Sequence, residues 1–143
     1  MTFFVDANVL IYSAVSSDFR EPCLEVLEAI ARGQADGRTS AAVLEEVWHI
    51  ERSGRAGNLE GLARRAYTLM TPLLPVDDDA FRLALALEAS ELGTNDRLHV
   101  GTCMSHGIEI VLSADEGFDS VREVRRIDTL NSRARRRLLA PGR

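Results

Sequence analysis

Apolar runs alternate with amphipathic stretches along the chain. The run Thr2–Val5 and the later run 108–112 are short and mainly apolar, which is typical of buried strands. Elsewhere, apolar residues recur at three- and four-residue spacing, which is typical of helices that bury one face. The pattern predicts helices that begin near Val9 and cover about residues 21–31, 42–53, 58–70, 78–92 and 95–105.

The order of these elements predicts an α/β fold. A weaker strand signal precedes Thr39, a brief extended segment covers 73–76, and a last short strand is predicted at 124–127. Strands that alternate with helices favour a parallel sheet, because each crossover then carries a helix. The Arg-rich run that starts at Arg133 and the Pro-Gly that follows it indicate a frayed terminus.

Length and composition are those of one soluble globular domain. The 143 residues are 45% hydrophobic and 27% charged, and a chain of this size can bury a core without disulfides or a structural metal. Cys23 and Cys103 lie far apart with no neighbouring histidine pair, so neither a zinc site nor a disulfide framework is indicated. No run approaches the roughly 20 apolar residues of a membrane span, and the start lacks a basic signal region. We therefore expect a cytoplasmic protein without membrane contact.

The formal net charge of −5 conceals an acidic body and a basic end. Residues 1–121 contain 9 Arg and 20 acidic residues, giving −11, whereas residues 122–143 contain 8 Arg and 2 acidic residues, giving +6. All 17 basic residues are Arg, whose guanidinium groups can bind phosphate in a bidentate manner. The motifs of nucleotide-binding loops, serine-hydrolase elbows and zinc proteases do not occur. The candidate chemistry therefore rests on the acids.

Two acids follow predicted strands, where ligands bind in an open parallel sheet. Asp6 comes directly after the first strand, and Asp115 follows the clearest later strand by three residues. Asp96 falls in the first turn of its predicted helix, and a helical projection places it on an inward face. In the predicted helix at 42–53, Glu46 borders the apolar face whereas Glu45 points nearly opposite. Glu46 is therefore the fourth candidate.

Each acid also has a structural explanation. Asp6 suits a helix N-cap and Asp115 suits a turn. Asp96 suits the positive end of a helix dipole, and Glu46 suits a solvated helix edge. Glu51 lies on the same helix face but more than a turn further on, which makes it a weaker candidate.

Taken together, the four acids indicate a cation site. Carboxylates that converge on one sheet edge repel each other and raise one another's pKa unless a cation neutralises them. A set of carboxylates without histidine or cysteine favours a hard ion, Mg²⁺ or Mn²⁺, over zinc. Such a site suits phosphodiester hydrolysis by activated water, with no covalent protein nucleophile.

Four segments, in their order and spacing, resemble the PIN domain family, and within it the VapC-type toxin ribonucleases. The segments are Phe4–Leu10, Thr39–Val47, Asn95–Val100 and Val111–Asp119, so that the resemblance spans nearly the whole chain. The family's acids fall on the same four positions, Asp6, Glu46, Asp96 and Asp115.

The resemblance implies a fold and a function. The fold is a PIN-like three-layer α/β sandwich with a central parallel sheet of four or five strands flanked by helices, a single PIN domain at 1–130 and a basic tail at 131–143. The function is that of a Mg²⁺-dependent endoribonuclease, with the four acids as catalytic residues and metal ligands. The implied partners are an RNA substrate, a second copy in a homodimer, and a VapB-type antitoxin that inserts a segment near the acidic pocket. Asn8, Ser113 and Asp119 are expected to support the acids.

RNA binding needs positive charge around an acidic pocket, because the phosphates would otherwise be repelled. We expect this charge from Arg52, Arg55 and Arg97, which flank the helices that carry the acids. The Arg residues of the tail are expected to reach the substrate or the antitoxin. Solvated helix faces are the alternative explanation for all of these side chains.

Two histidines and the single tryptophan complete the candidate residues. His49 and His99 are predicted to be structural or surface residues, since metal-activated water needs no histidine. Trp48 is predicted to lie in the core, although an exposed ring at this position would be able to stack on a base.

Three alternatives to a toxin stay open. One is a PIN nuclease of RNA processing or decay, and another is a non-catalytic PIN-like module that binds RNA or protein. A small receiver-like or flavodoxin-like module also has acids at strand ends. It is less favoured, because a receiver needs a late Lys and this chain contains none.

Overall fold

The computed structural model describes residues 1–89 and 91–141 of the chain. Within these residues, four strands form one parallel sheet in the order β2-β1-β3-β4. They are β1 (Thr2–Val5), β2 (Asp36–Arg38), β3 (Ile110–Leu112) and β4 (Arg125–Ile127). The predicted α/β class and parallel sheet are confirmed. Because β1 lies between β2 and β3, the strand order reverses beside it, and ligands bind at such a point in open parallel sheets.

Helices flank this sheet. They are α1 (Ala7–Tyr12), α2 (Arg20–Ala31), α3 (Ala41–Ser53), α4 (Leu62–Met70), α5 (Asp78–Leu85), α6 (Thr94–Ser105) and α7 (Ser132–Leu139), with a short 3₁₀ helix at Glu116–Ser120. None of the helices among the described residues has both the length and the apolar character that crossing a membrane requires.

The core is built on the two central strands. Phe3, Phe4 and Val5 of β1 are fully buried, and so are Val111 and Leu112 of β3. These strands show no alternation of apolar and polar residues because helices cover both faces of the sheet. Burial of each such side chain contributes about 1.5–3 kcal/mol to folding. Both cysteines are buried and unpaired, as the sequence indicated.

The α5–α6 pair differs from the predicted helix boundaries. Helix α5 begins after its N-cap Asp77 but ends at Leu85, whereas a helix reaching about residue 92 was expected. The carbonyl groups of Leu87 and Leu92 accept hydrogen bonds from the Arg97 side chain, so this segment is held by a side chain rather than by a helical ladder. Ser90, which the prediction included, lies outside the described residues.

Helix α6 packs closely against α5 through Gly101. A Cβ atom at this position would collide with the carbonyl of Ala80 and press on Ala84, so only glycine allows the approach. The helix begins at Thr94, and its N-cap is Gly93, which has no side chain to cap it. The predicted start near residue 95 is therefore within one position of the observed one.

The C-terminal segment is a helix where a frayed end was expected. Asn131 caps α7 by accepting a hydrogen bond from the Ala134 amide at 3.0 Å. Arg135 donates to a Glu25 carboxylate oxygen at 2.9 Å and to the Thr129 carbonyl at 2.7 Å, and Leu138 is buried. A partner 110 positions away in the sequence explains why the Arg run gave no sign of this packing. The last two residues of the predicted tail, 142–143, lie outside the described residues.

Candidate active site

All four predicted acids line one pocket at the carboxyl edge of the sheet. The pocket has a volume of about 490 Å³ and opens between the ends of β1 and β3 and the helices α3 and α6. Asp6, Glu46, Asp96 and Asp115 contribute to its wall, together with Asn8. The sequence thus placed these carboxylates correctly relative to one another, although they are up to 109 positions apart.

Asp6 is both a helix cap and a wall of the pocket. It follows β1 directly, and its Oδ1 accepts a hydrogen bond from the Ala7 amide at 2.8 Å at the start of α1. Its Oδ2 accepts from the Ser113 hydroxyl at 2.7 Å and from the Asn8 amide nitrogen at 3.1 Å. Burial raises the pKa of Asp6 above its ordinary value, against the opposing effect of a neighbouring histidine.

Asn8 and Ser113 connect the ends of β1 and β3. Asn8 Nδ2 donates to Ser113 Oγ at 2.9 Å, and Asn8 Oδ1 accepts from the Ala114 amide at 3.1 Å. The Ser113 hydroxyl also accepts from the Asp115 amide at 3.0 Å. These contacts by Asn8 and Ser113, two of the three residues expected to support the acids, fix Asp6 relative to the turn that carries Asp115.

His99 is the site residue that the sequence reading missed. It was expected to be structural or on the surface, but its Nε2 lies 3.2 Å from Glu46 Oε1 and 3.9 Å from Asp6 Oδ1. The side chain is fully buried and its ring lies 5.6 Å from that of Phe4. Burial alone would lower the pKa of His99, but the Glu46 hydrogen bond and the Asp6 carboxylate outweigh it and raise this pKa. The available signal was its spacing of three residues from Asp96, which puts both on one face of α6.

Asp96 carries the strongest sign of crowded negative charge. It lies in the first turn of α6, half-buried, as the helical projection indicated. Burial is the largest cause of a raised pKa at Asp96, and with the carboxylates of Asp6, Asp115 and Glu46 it brings this pKa to about 7 against the opposing effect of His99. In the metal-free protein this carboxyl group therefore takes up a proton at a higher pH than an exposed aspartate does.

Asp115 lies at the exposed rim of the pocket. Its Oδ1 accepts a hydrogen bond from the Gly117 amide at 2.8 Å, which caps the 3₁₀ helix. The second carboxylate oxygen lacks a hydrogen-bond donor among the described residues. Asp115 thus both stabilises a turn and lines the pocket. Asp6 likewise both caps a helix and lines the pocket.

The donor set fits a divalent cation. Asp6, Glu46 and His99 each place a potential ligand atom within 4.8 Å of the other two. Burial is the main cause of the raised pKa values of Asp6 and Asp96, and repulsion from neighbouring carboxylates adds to it. An ion with a preference for oxygen ligands would remove this repulsion. His99 Nε2 lies within the same cluster, where it is hydrogen-bonded to Glu46 Oε1 at 3.2 Å.

Asp119 lies outside the pocket wall. Its carboxylate accepts hydrogen bonds from Arg126 Nε at 2.9 Å and Nη2 at 3.0 Å, and this contact lowers the pKa of Asp119. Arg126 Nη1 donates to the Ser113 carbonyl at 3.0 Å. Asp119 therefore acts on the site only through Arg126, which braces the turn between Ser113 and Asp115.

The three arginines expected to contact RNA occupy different environments. Arg52 and Arg55 are exposed near the end of α3, and Arg52 lines a hollow that adjoins the acidic pocket. Arg97 instead donates from all three nitrogens of its guanidinium group to the carbonyls of Leu87, Leu92 and Ala89. The expectation for Arg97 is corrected, because these contacts hold the segment after α5 and leave the group committed to the protein.

Two further residues of α3 differ from their predicted roles. Trp48 was expected in the core but is 56% exposed. Glu51, the weaker acid candidate, accepts hydrogen bonds from the Ala63 amide at 2.8 Å and the Gly61 amide at 3.3 Å. Glu51 therefore caps the start of α4 and takes no part in the acidic pocket.

Comparison with known proteins agrees with this geometry. The family model of the PIN domain matches residues 3–124. One chain of the crystal structure of VapBC2 from Rickettsia felis, bound to a DNA fragment from the promoter, has a similar fold, with a TM-score of 0.67 and 12% sequence identity. The alignment covers 90% of this chain and 98% of that chain. No curated protein matches the sequence. The family match, which includes all four acids and His99, shows that the chain belongs to the PIN domain family.

Proposed function

We propose that this protein is a Mg²⁺-dependent endoribonuclease and the toxin of a VapBC-type toxin–antitoxin pair, active in the cytoplasm. The observation that carries the proposal is the convergence of Asp6, Glu46, Asp96 and Asp115 on one pocket at the carboxyl edge of the sheet. Membership of the PIN family and the fold shared with the chain from VapBC2 support it.

The acids would hold the ion together. Asp6 and Glu46 offer carboxylate oxygens beside each other, and Asp96 and Asp115 extend the set toward the open side. When bound, Mg²⁺ or Mn²⁺ would supply the charge that activates water and offsets the charge developing on the phosphodiester. No side chain of the pocket is needed as a covalent nucleophile.

The protein's own contribution is to hold these carboxylates in place. Asn8 and the Ser113 hydroxyl donate to Asp6 Oδ2 and prevent its carboxylate from rotating. His99 donates from Nε2 to Glu46 and fixes the position of that longer side chain. A carboxylate that is exposed and only singly bonded, as Asp115 is, is placed to accept a proton from water at the rim.

The same comparisons support the proposed antitoxin, and the chemistry of the pocket supports the proposed substrate. A VapB-type antitoxin would cover the acidic pocket with a segment that carries positive charge, because the four carboxylates attract a cationic side chain. RNA would be the substrate, since this site hydrolyses a phosphodiester and Arg52 and Arg55 lie exposed on the neighbouring helix end.

The test is cleavage of total cellular RNA by the purified chain with Mg²⁺ or Mn²⁺, with EDTA as the metal-free control. We expect discrete fragments that EDTA abolishes and that Asp96→Asn reduces about 100-fold or more. Asp78→Asn is the matched control, because Asp78 also occupies the first turn of a helix but lies outside the pocket.

The other outcomes separate the alternatives. RNA left intact by a protein that still binds Mn²⁺ would contradict the nuclease and favour a binding module. Cleavage at many sites without any effect of a co-expressed antitoxin would contradict the toxin and favour a processing nuclease.

A further inference from the structure

Trp48 lies on a surface that continues from the acidic pocket. The hollow beside it has a volume of about 260 Å³ and is lined by Glu45, Trp48, His49 and Arg52. Glu45 and His49 also line the acidic pocket, so the two cavities share a wall. A substrate that extends beyond the acids along α3 would therefore enter this hollow next.

The chemistry of the hollow combines a flat aromatic surface with a cation. Trp48 and Arg52 are four residues apart, which puts them on the same face of α3. The indole ring is more than half exposed, and Arg52 has no hydrogen-bond acceptor or ion-pair partner within the described part of the chain. An exposed indole beside a free guanidinium suits a nucleobase and the phosphate attached to it.

Charge favours a polyanion along this end of α3. Arg52 and Arg55 are exposed, whereas the acid between them and Trp48, Glu51, has its carboxylate turned onto the backbone amides of α4. Glu45 is the remaining acid of the hollow, and it lies on the side shared with the acidic pocket. Positive charge therefore increases with distance from the proposed metal site.

We propose that the hollow formed by Glu45, Trp48, His49 and Arg52 is a nucleotide-binding subsite for single-stranded RNA. The base of a nucleotide near the cleaved bond would stack on Trp48, and its phosphate would contact Arg52. A base inside a duplex has no free face to stack, so the subsite selects unpaired RNA. This inference rests on the proposed ribonuclease function and assigns the substrate class of the same site.

Trp48 is the single tryptophan of the chain, so its fluorescence reports on this hollow alone. The experiment uses the full chain carrying Asp96→Asn, which slows cleavage about 100-fold or more. This variant is titrated with a short single-stranded RNA and with the same RNA annealed to its complement. We expect the single strand to quench the fluorescence at saturation, and the duplex to leave it nearly unchanged.

Affinity variants in the same Asp96→Asn background test the energetic role. Trp48→Ala should weaken binding of the single strand about 5- to 150-fold, and Trp48→Phe should retain most of the affinity. Arg52→Gln should weaken binding and reduce the slope of log affinity against log salt by about one. Tyr67→Ala, which removes an exposed aromatic side chain on α4, is the matched control and should bind as the parent does.

In the cleavage-competent chain, Trp48→Ala should raise KM while kcat changes little, because stacking binds substrate and transition state alike. Unchanged fluorescence at saturating RNA, or an affinity of Trp48→Ala within about twofold of the parent, would overturn the subsite. That outcome with normal metal-dependent cleavage leaves the nuclease intact and removes the Trp48 face from the path of the RNA. Absence of cleavage by the unmodified chain would overturn the proposed function instead.

Discussion

His99 is a buried histidine beside the carboxylates of the acidic pocket. Its Nε2 contacts Glu46 and approaches Asp6, while its Nδ1 has no hydrogen-bond partner among the described residues. One buried ring thus lies beside two carboxylates that line the pocket. The contact holds Glu46 where it would be able to share an ion with Asp6.

Replacement of His99 should therefore weaken metal binding through Glu46. We expect His99→Gln to lower the affinity for Mn²⁺ about 10- to 100-fold, as is typical when the partner of a metal-holding side chain is removed. Isothermal titration calorimetry with Mn²⁺ measures the affinity of each variant directly. His106→Gln is the control, because His106 contacts the Pro75 carbonyl away from the pocket. Equal affinities for both variants would contradict the role assigned to His99.

Crowded carboxylates also make the metal-free protein sensitive to pH. Burial raises the pKa of Asp96 from 3.8 to about 7, and it raises that of Asp6 as well. Between these two pH values the folded state binds more protons than the unfolded state. The contribution of Asp96 to the free energy of unfolding is therefore fully present below pH 3.8 and is lost as the pH rises through about 7. The raised pKa of His99 acts in the same direction.

The melting temperature in EDTA should accordingly fall as the pH rises from acidic to neutral values. Asp96→Asn should reduce the slope of melting temperature against pH, because an asparagine side chain does not titrate. Mn²⁺ should restore most of the loss at neutral pH, since an ion that binds only the folded state stabilises it. A melting temperature in EDTA that rises over the same pH interval would show that ionisation of these carboxyl groups does not destabilise the folded protein.

The sequence revealed those site residues whose position follows from local rules. Asp6 and Asp115 come after strands, and the period of α3 placed Glu46 toward the site, although Glu45, predicted to point nearly opposite, also lines the pocket. His99 and Trp48 were misassigned because the choice between core, surface and site depends on which element covers that face of the helix. A helical period shows that two residues share a face but does not show what that face meets.

At the scale of elements, Glu51 shows how the α3–α4 hairpin is fixed. Gly61, the N-cap of α4, has no side chain, so the first amides of that helix would lack a partner. The Glu51 carboxylate reaches across from α3 and accepts from two of them. A carboxylate at this end of the helix also suits the helix dipole.

Glu51→Ala should lower the free energy of unfolding by about 1 kcal/mol, the usual effect of losing a helix cap, and leave the affinity for Mn²⁺ unchanged. Urea unfolding and metal titration of the same variant separate the two effects. Glu60→Ala removes a neighbouring exposed acid and serves as the control. Loss of metal affinity at unchanged stability would instead make Glu51 a member of the site.

Element types were easier to predict than element ends. The strand β1 follows a continuous apolar run, the helices α2 and α3 follow strong periodic patterns, and all three appear nearly as expected. Helix α5 ends earlier than predicted, and Arg97 holds the irregular segment that follows it. Helix α7 is held in place by the contact of Arg135 with Glu25, which is distant in sequence. A single sequence does not show whether an arginine side chain binds a buried acceptor or extends into solvent.

At the scale of the whole molecule, the α5–α6 face remains without a partner among the described residues. Phe81 and Leu85 are 56% and 74% exposed, and with Ala84 and Leu98 they line a hollow of about 410 Å³. Exposed apolar side chains that cluster in this way mark interaction surfaces in soluble proteins. A second copy of the chain, packed by twofold symmetry, would cover this face with the same residues.

The expected homodimer can be tested on this face. Leu85→Glu should give a monomer in sedimentation equilibrium, because the substitution places a charge where the apolar contact would form, while an exposed position leaves folding intact. Leu130→Glu, at another exposed leucine, should remain dimeric. Asn95 lines both this hollow and the acidic pocket, so loss of the dimer should also change RNA cleavage. A dimeric Leu85→Glu variant would place the subunit contact elsewhere, and a monomeric unmodified chain would contradict the dimer itself.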